Sequence, residues 1–265
     1  MQRETHFKTH LEDKGFSLAP FPNSLRSEML AHIENHIREL GAKYTDSSTA
    51  VLKDVALSVP DSIWSEKMSR AYRIFPKSIS HKIEKWANDS IRPKLDRTQS
   101  AINKVYREEI KINDKLDADT PTIYWRCVRP GKPDAGRPHR DADFWDLEFK
   151  AGYDPQIPFQ FNYLKDCVKI WIPLQGCIPT TTLQVISGSH KMEISAVVET
   201  TEYGTRPTIN SSWLEEHKND YISPVELSKG ECIIFDMKLV HRGPQHNNSD
   251  LRLSAELCFI LKPIS

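Results

Sequence analysis

From Thr120 onward the chain is built of short β-branched and aromatic runs, and this pattern most constrains the fold. The runs are Thr122 to Val128, Val168 to Leu174, Leu183 to Ile186, Glu231 to Phe235 and Leu251 to Leu261. Clusters of Pro, Gly, Asn and Asp separate them. Such spacing predicts an antiparallel sandwich or barrel rather than alternating βαβ units. The preceding part reads as helical. Asn23 and Ser24 are candidate N-caps of a helix reaching about Leu40, with Leu25, Met29, His32, Ile33, Ile37 and Leu40 near one stripe. Further helices are expected over about 61–75 and about 98–112, the latter on Ile102, Val105, Tyr106 and Ile110. Residues 199–219, with Gly204, Pro207 and Asn210, read as a long connection, too irregular for a simple hairpin and suited to a lid together with the N-terminal half.

At 265 residues the chain is expected to form a single domain over 1–265, with a mostly helical part over 1–119 and a β core over 120–265. Lys+Arg and Asp+Glu are both 36, and no long run of like charge occurs, so nucleic acid is not an expected partner. The N-terminus is polar, and no stretch approaches the ~20 apolar residues that span a bilayer. No membrane association is therefore expected, and the expected location is cytoplasmic. Five cysteines, with no C-x-x-C pair, read as reduced structural thiols.

Chemistry concentrates at Arg137-Pro138-His139-Arg140-Asp141. If this stretch is extended, the imidazole and the carboxylate share one face, because strand side chains alternate. His241 follows a strand-like run and precedes the Arg242-Gly243-Pro244 turn. His139, Asp141 and His241 thus form a two-histidine, one-carboxylate set of the kind that binds iron(II) with open positions. His246, in a polar loop, is a weaker rival for His241. His32 and His36, at helical spacing, lack the Glu that a zinc-protease pattern needs and read as a helix face. Arg252 stands inside an apolar run, where a guanidinium is costly without an anion. Its fork suits a carboxylate such as the distal end of 2-oxoglutarate, with Ser254 two residues on adding a hydrogen bond. Lys132, Arg137 and Arg140 flank the site and hint at an anionic substrate.

Four segments, His139 to Trp145, Ile170 to Leu174, Leu183 to Lys191, and His241 with Arg252, together resemble the phytanoyl-CoA dioxygenase family of iron(II)/2-oxoglutarate oxygenases. The resemblance covers roughly Thr120 to Leu261. It implies a mainly β fold with added helices, whose core is a double-stranded β-helix (a cupin-like jelly roll) of eight strands. It implies that His139, Asp141 and His241 hold iron(II), that Arg252 anchors 2-oxoglutarate, and that Trp171 lines the co-substrate pocket. The Gly188-Ser189-His190-Lys191 run resembles a family hallmark with a structural role, while Thr180-Thr181-Thr182 replaces a glycine-rich step and would place hydroxyls near the pocket. The implied activity is hydroxylation of a C–H bond of a small molecule by molecular oxygen, with release of succinate and carbon dioxide. Desaturation, epimerisation or cyclisation at the same centre, and a non-catalytic binding or metal-sensing module, stay open. The sequence leaves the oligomeric state open as well.

Overall fold

The structure is a computed structural model that describes residues 2–46, 48–105, 107–113, 116–150, 157–201, 204–247 and 250–263. The helices in chain order are α1 (Gln2–Lys14), α2 (Asn23–Gly41), α3 (Leu52–Ser58), α4 (Asp61–Lys67), α5 (Lys77–Ser90), α6 (Arg107–Ile112), α7 (Asp141–Lys150) and α8 (Ser211–Glu216). The strands are β1 (Phe16–Pro20), β2 (Arg97–Ile102), β3 (Tyr124–Val128), β4 (Cys167–Gln175), β5 (Gln184–Ile186), β6 (Ala196–Thr201), β7 (Gly204–Ile209), β8 (Tyr221–Ile222), β9 (Glu231–Asp236), β10 (His241–Arg242) and β11 (Arg252–Pro263).

The larger sheet runs β1-β9-β4-β11, and the far edge of β11 takes β3 along its first half and β2 along its second. A second sheet has the order β10-β5-β8, extended by an isolated bridge between His139 and His241. From β3 through the His139 bridge, β4, β5, β8, β9 and β10 to β11, the chain passes back and forth between the two sheets. That winding is the jelly roll expected from the resemblance. Each of the five apolar runs is a strand, displaced at most two residues at either end. Period-two patterning explains why: Ile170, Ile172, Leu174, Leu253, Ala255, Leu257 and Phe259 all enter the core under the helices. Trp171, Ile233 and Phe235 point the other way, into a second cluster between the sheets with Val185, Leu239 and Phe16.

Helix α2 covers the outer face of the larger sheet with Met29, Ile33 and Ile37, each wholly buried. Burying each such side chain stabilises the fold by roughly 1.5–3 kcal/mol. Its capping differs from expectation. Pro22 takes the N-cap position without a side-chain bond, because Asn23 Oδ1 instead accepts from Arg26 Nη1 at 2.8 Å while Arg26 Nε donates to the Pro173 carbonyl at 3.0 Å.

Three other expectations are corrected. The helix foreseen over 98–112 is strand β2 followed by the short α6. The end of β11 offers Phe259 to Lys262 as pairing partners for Gln99 to Ile102, and tertiary pairing overrides the helical spacing; Tyr106 lies outside the described residues. The stretch over 61–75 is helical only to Lys67, then turns through a short 3-10 segment and a bridge from Ile74 to Tyr124. Residues 199–219 are no irregular connection: β6 and β7 form a regular antiparallel hairpin, with α8 behind it. Pro207 is tolerated because this ribbon pairs with neither larger sheet. Part of the 1–119 segment is also sheet, since β1 pairs with β9 at one edge and β2 with β11 at the other.

Candidate metal centre

Asp141 does not sit on a strand, as the alternation argument had assumed. It opens helix α7, where a carboxylate is favoured by the unpaired N–H groups of the first turn. His139 lies one bridge away, exchanging backbone hydrogen bonds with His241 in both directions at 3.0 and 3.1 Å. The start of α7 is pinned by Ala142 N–H donating to the Met237 carbonyl at 2.8 Å. Backbone pairing across the second sheet thus brings the three residues together, so that one ligand atom of each lies within 4.8 Å of the others.

The Gly188 to Lys191 run explains how His241 is held. Gly188 has φ +80, a left-handed conformation that glycine adopts without strain. Ser189 Oγ then donates to the Ile186 carbonyl at 2.7 Å and accepts from Val240 N–H at 2.9 Å, fixing the residue before His241. His190 is not part of the metal set: its Nε2 lies 3.0 Å from the Glu12 carbonyl and ties α1 to the barrel.

The donors fit a divalent metal. His139 Nδ1 is 2.7 Å from the Arg137 carbonyl and His241 Nδ1 is 3.0 Å from the Leu239 carbonyl. A carbonyl can only accept, so each Nδ1 carries the proton and each Nε2 offers a lone pair. Burial, with His241 beside it, pushes the His139 pKa down to about 4, so the imidazole is neutral at pH 7. Asp141 Oδ2 is buried with no hydrogen-bond partner and lies 3.6 Å from His241 Nε2. Burial alone would raise the Asp141 pKa, but Lys169 first, then His241 and His139, hold it below the usual carboxylate value. An ionised, unpartnered buried oxygen beside two imidazole lone pairs is the donor chemistry of iron(II) sites with open positions.

Arg252 lies on β11, 3 % exposed. Its Nη1 donates to the carbonyls of Thr181 at 2.9 Å and Pro244 at 3.3 Å, and its Nε has no partner. Burial pushes its pKa down to about 10, which leaves it charged at pH 7, and among the described residues no carboxylate pairs with it. A bidentate anion completes such a site. Gly243 makes room, since a Cβ there would stand 2.5 Å from Arg252 Nη2. Ser254 is buried two residues along, opposite Arg126 and Pro173, and Trp171 is buried between the sheets opposite Glu256 and Ile233. Thr181 does not lend its hydroxyl to the pocket; the Oγ serves the turn between Gly176 and Ile178, and the carbonyl serves Arg252.

The rivals lie elsewhere. His246 is buried near Arg252 and outside the three-residue cluster. His32 and His36 pack on the rings of Phe75 and Trp125. Phe144 meets His139 edge-on at 5.3 Å, whereas Trp145 belongs to a separate cluster with Phe161 and Tyr163. Sequence reasoning missed Lys169, whose Nζ is 3.3 Å from Asp141 Oδ1, and the Arg126–Glu256 pair at 3.1 Å. The sequence flags each only in part, as a charge between apolar neighbours in a strand, which does not say whether it faces water or a partner.

Comparison with known proteins identifies the family of the chain. The sequence matches the Phytanoyl-CoA dioxygenase (PhyH) family over residues 18–254. No curated protein sequence matches the chain. Among solved structures, that of the epimerase SnoN in complex with Fe3+, alpha ketoglutarate and nogalamycin RO has a TM-score of 0.50 at 13% identity, covering 98% of this chain and 84% of that one. EctD from S. alaskensis, with 2-oxoglutarate and 5-hydroxyectoine, gives 0.48 at 14% identity, covering 97% and 75%. The non-heme monooxygenase ThoJ gives 0.47 at 13% identity, covering 98% and 80%. At such identities the likeness to SnoN is one of fold. With nine-tenths of its length inside the family match and a jelly roll that gathers two histidines and an aspartate, the chain belongs to the phytanoyl-CoA dioxygenase family of 2-oxoglutarate-dependent non-haem iron enzymes.

Proposed function

We propose that His139 Nε2, Asp141 Oδ2 and His241 Nε2 hold one iron(II), and that Arg252 takes the distal carboxylate of 2-oxoglutarate, with Ser254 and Trp171 beside it. In this reading the chain hydroxylates a C–H bond of a small molecule, with succinate and carbon dioxide released. The observation that carries it is the orphaned Asp141 Oδ2 between two imidazoles of fixed tautomer, on the same barrel as a buried arginine that no carboxylate among the described residues pairs. When bound, the iron supplies oxygen activation coupled to decarboxylation of the co-substrate. The protein orients. Lys169 engages Asp141 Oδ1 and leaves Oδ2 to the metal, while Phe235 and Phe144, packed on the two imidazoles, keep that wall dry. Asp141 fills the third protein position, so no place is given up to a halide, which favours hydroxylation over halogenation.

The partner is a small molecule in this reading, since the balanced charge favours no polyanion. All five cysteines are buried and unpaired, which suits a reducing compartment, and we place the protein in the cytoplasm. No helix among the described residues is long and apolar enough to cross a membrane. Residues 1–265 are read as one folding unit, because one core cluster runs from Phe7 to Leu261.

Loading with iron(II), then adding 2-oxoglutarate and oxygen, is expected to release succinate even without substrate. Asp141→Ala or His241→Ala is expected to lose tight metal binding, measured by metal analysis after desalting. Full occupancy in both variants sinks the ligand assignment. Once a substrate is in hand, a product heavier by one oxygen atom supports hydroxylation, and one lighter by two hydrogens replaces it with desaturation.

A further inference from the structure

The three basic residues that the sequence offered as a lure for anions are all spoken for. Lys132 pairs with Asp61 at 3.0 Å, Arg137 with Glu199 at 3.2 Å and Arg140 with Asp143 at 2.6 Å. The interior between the sheets is different. On β3, Trp125 and Cys127 enter the core under the helices, so Arg126 between them points to the opposite face. Its register partner is Ser254, which places it beside the column of Arg252, Ser254 and Glu256 on β11.

Two carboxylates face this interior. Asp141 is engaged by Lys169, and Glu256 is shared: Arg126 Nε donates to it at 3.1 Å, and Lys169 and Arg73 also hold its pKa far below the usual value against its burial. Arg73 spends its own donors on the carbonyls of Met68 and Trp125. Among the described residues four cations, Arg73, Arg126, Lys169 and Arg252, meet two anions, Glu256 and Asp141. Iron(II) and 2-oxoglutarate bring equal and opposite charge and leave that excess in place. Farther out, Arg70 is matched by Glu148 at 3.1 Å and by Glu109 at 3.9 Å.

The excess has one outlet. The Arg126 side chain is 38 % exposed against 12 % for Lys169, and among the described residues its two Nη atoms donate to nothing. Its register with Ser254 and its bond to Glu256 set it beside Arg252 on the inward face of β11, which places it among the site groups. A guanidinium held at Nε by its own carboxylate presents its remaining edge as a planar fork.

The geometry points to Arg126 as a specificity residue that binds a carboxylate of the primary substrate through its free Nη pair, beside the metal triad and apart from the co-substrate anchor. This rests on the metal and co-substrate reading above. A single planar fork with two free N–H edges matches the two oxygens of a carboxylate.

The test uses the full chain loaded with Mn(II) and 2-oxoglutarate and offers it matched pairs of probes: propanoate, benzoate and hippurate, each against its primary amide. Paramagnetic relaxation of the probe protons reports binding near the metal. The acids are expected to relax more strongly than the amides by about tenfold or more, in keeping with a charge-assisted pair. In Arg126→Gln that preference is expected to vanish. Because Gln leaves Glu256 short of a partner, the double variant Arg126→Gln/Glu256→Gln, which removes both charges, is measured in parallel and is expected to lose the preference too. Acids and amides relaxing alike in the wild type, or a preference that survives both variants, would overturn the assignment. So would a 2-oxoglutarate dissociation constant raised about tenfold or more in Arg126→Gln, which would hand Arg126 to the co-substrate. A wild-type protein that takes up no Mn(II) shows up earlier, in the metal titration, and refutes the metal reading itself.

Discussion

Gly243 and Arg252 are a matched pair, one giving the space that the other's guanidinium occupies. Arg252→Ala is expected to raise the Michaelis constant for 2-oxoglutarate tens-fold or more, since losing one partner of a buried charge pair costs about 2–5 kcal/mol. Metal occupancy should stay near wild type. Gly243→Ala, which touches neither ligand, should raise the same constant because its Cβ would stand 2.5 Å from Arg252 Nη2. Co-substrate titration by tryptophan fluorescence measures both, and an unchanged affinity in Arg252→Ala would move the anchor elsewhere. The types of His139, Asp141, His241 and Arg252 announce their chemistry, so they could be picked from the chain. Lys169, Arg126 and Glu256 could not, because a charge in an apolar strand means solvent at an edge or a partner inside, and only strand neighbours decide which. Lys169 faces inward because Val168 and Ile170 on either side enter the helix-side core.

At the scale of elements, the short turn after β5 does more than reverse the chain. Ser189→Ala would leave Val240 N–H buried without an acceptor, at a cost of about 1–3 kcal/mol, and would free the backbone that carries His241. The expected result is a lower Tm together with weaker metal binding, read by calorimetry and metal titration, whereas Lys191→Ala, on an exposed residue of the same turn, should change neither. The long strands were legible because their alternation persists. Strand β1 went unrecognised because five residues give too short a pattern and its identity depends on β9, more than two hundred residues on. The β6–β7 ribbon hid behind Pro207 and Gly204, residues that usually interrupt strands and here sit in an isolated two-stranded pair.

For the whole molecule, the buried carboxylate of Glu256 ties stability to acidity. Its folded-state pKa lies well below the ordinary 4.5, so the unfolded chain binds the proton more readily. The stabilisation is therefore present above about pH 4.5 and is lost as pH falls below it. Glu256→Gln is expected to be less stable at pH 7 by about 1–3 kcal/mol, less than for a fully buried broken pair because Arg126 is partly in water. It should also show a flatter loss of stability between pH 5 and pH 3. Urea unfolding at stepped pH checks both, and parallel curves for the two proteins would remove Glu256 from the account.

The order of the sheets also sets a timetable for synthesis. Strand β1 leaves the ribosome early, but its partner β9 begins at Glu231, and the central strand β11 begins only at Arg252. A nascent chain of two hundred residues has β4 with neither of its neighbours and His139 without His241. The larger sheet can close only when the last strand arrives, a non-local topology that folds slowly. Metal capture at this centre thus waits until His241 has been made, and β4 lacks both its neighbours until β9 and β11 follow.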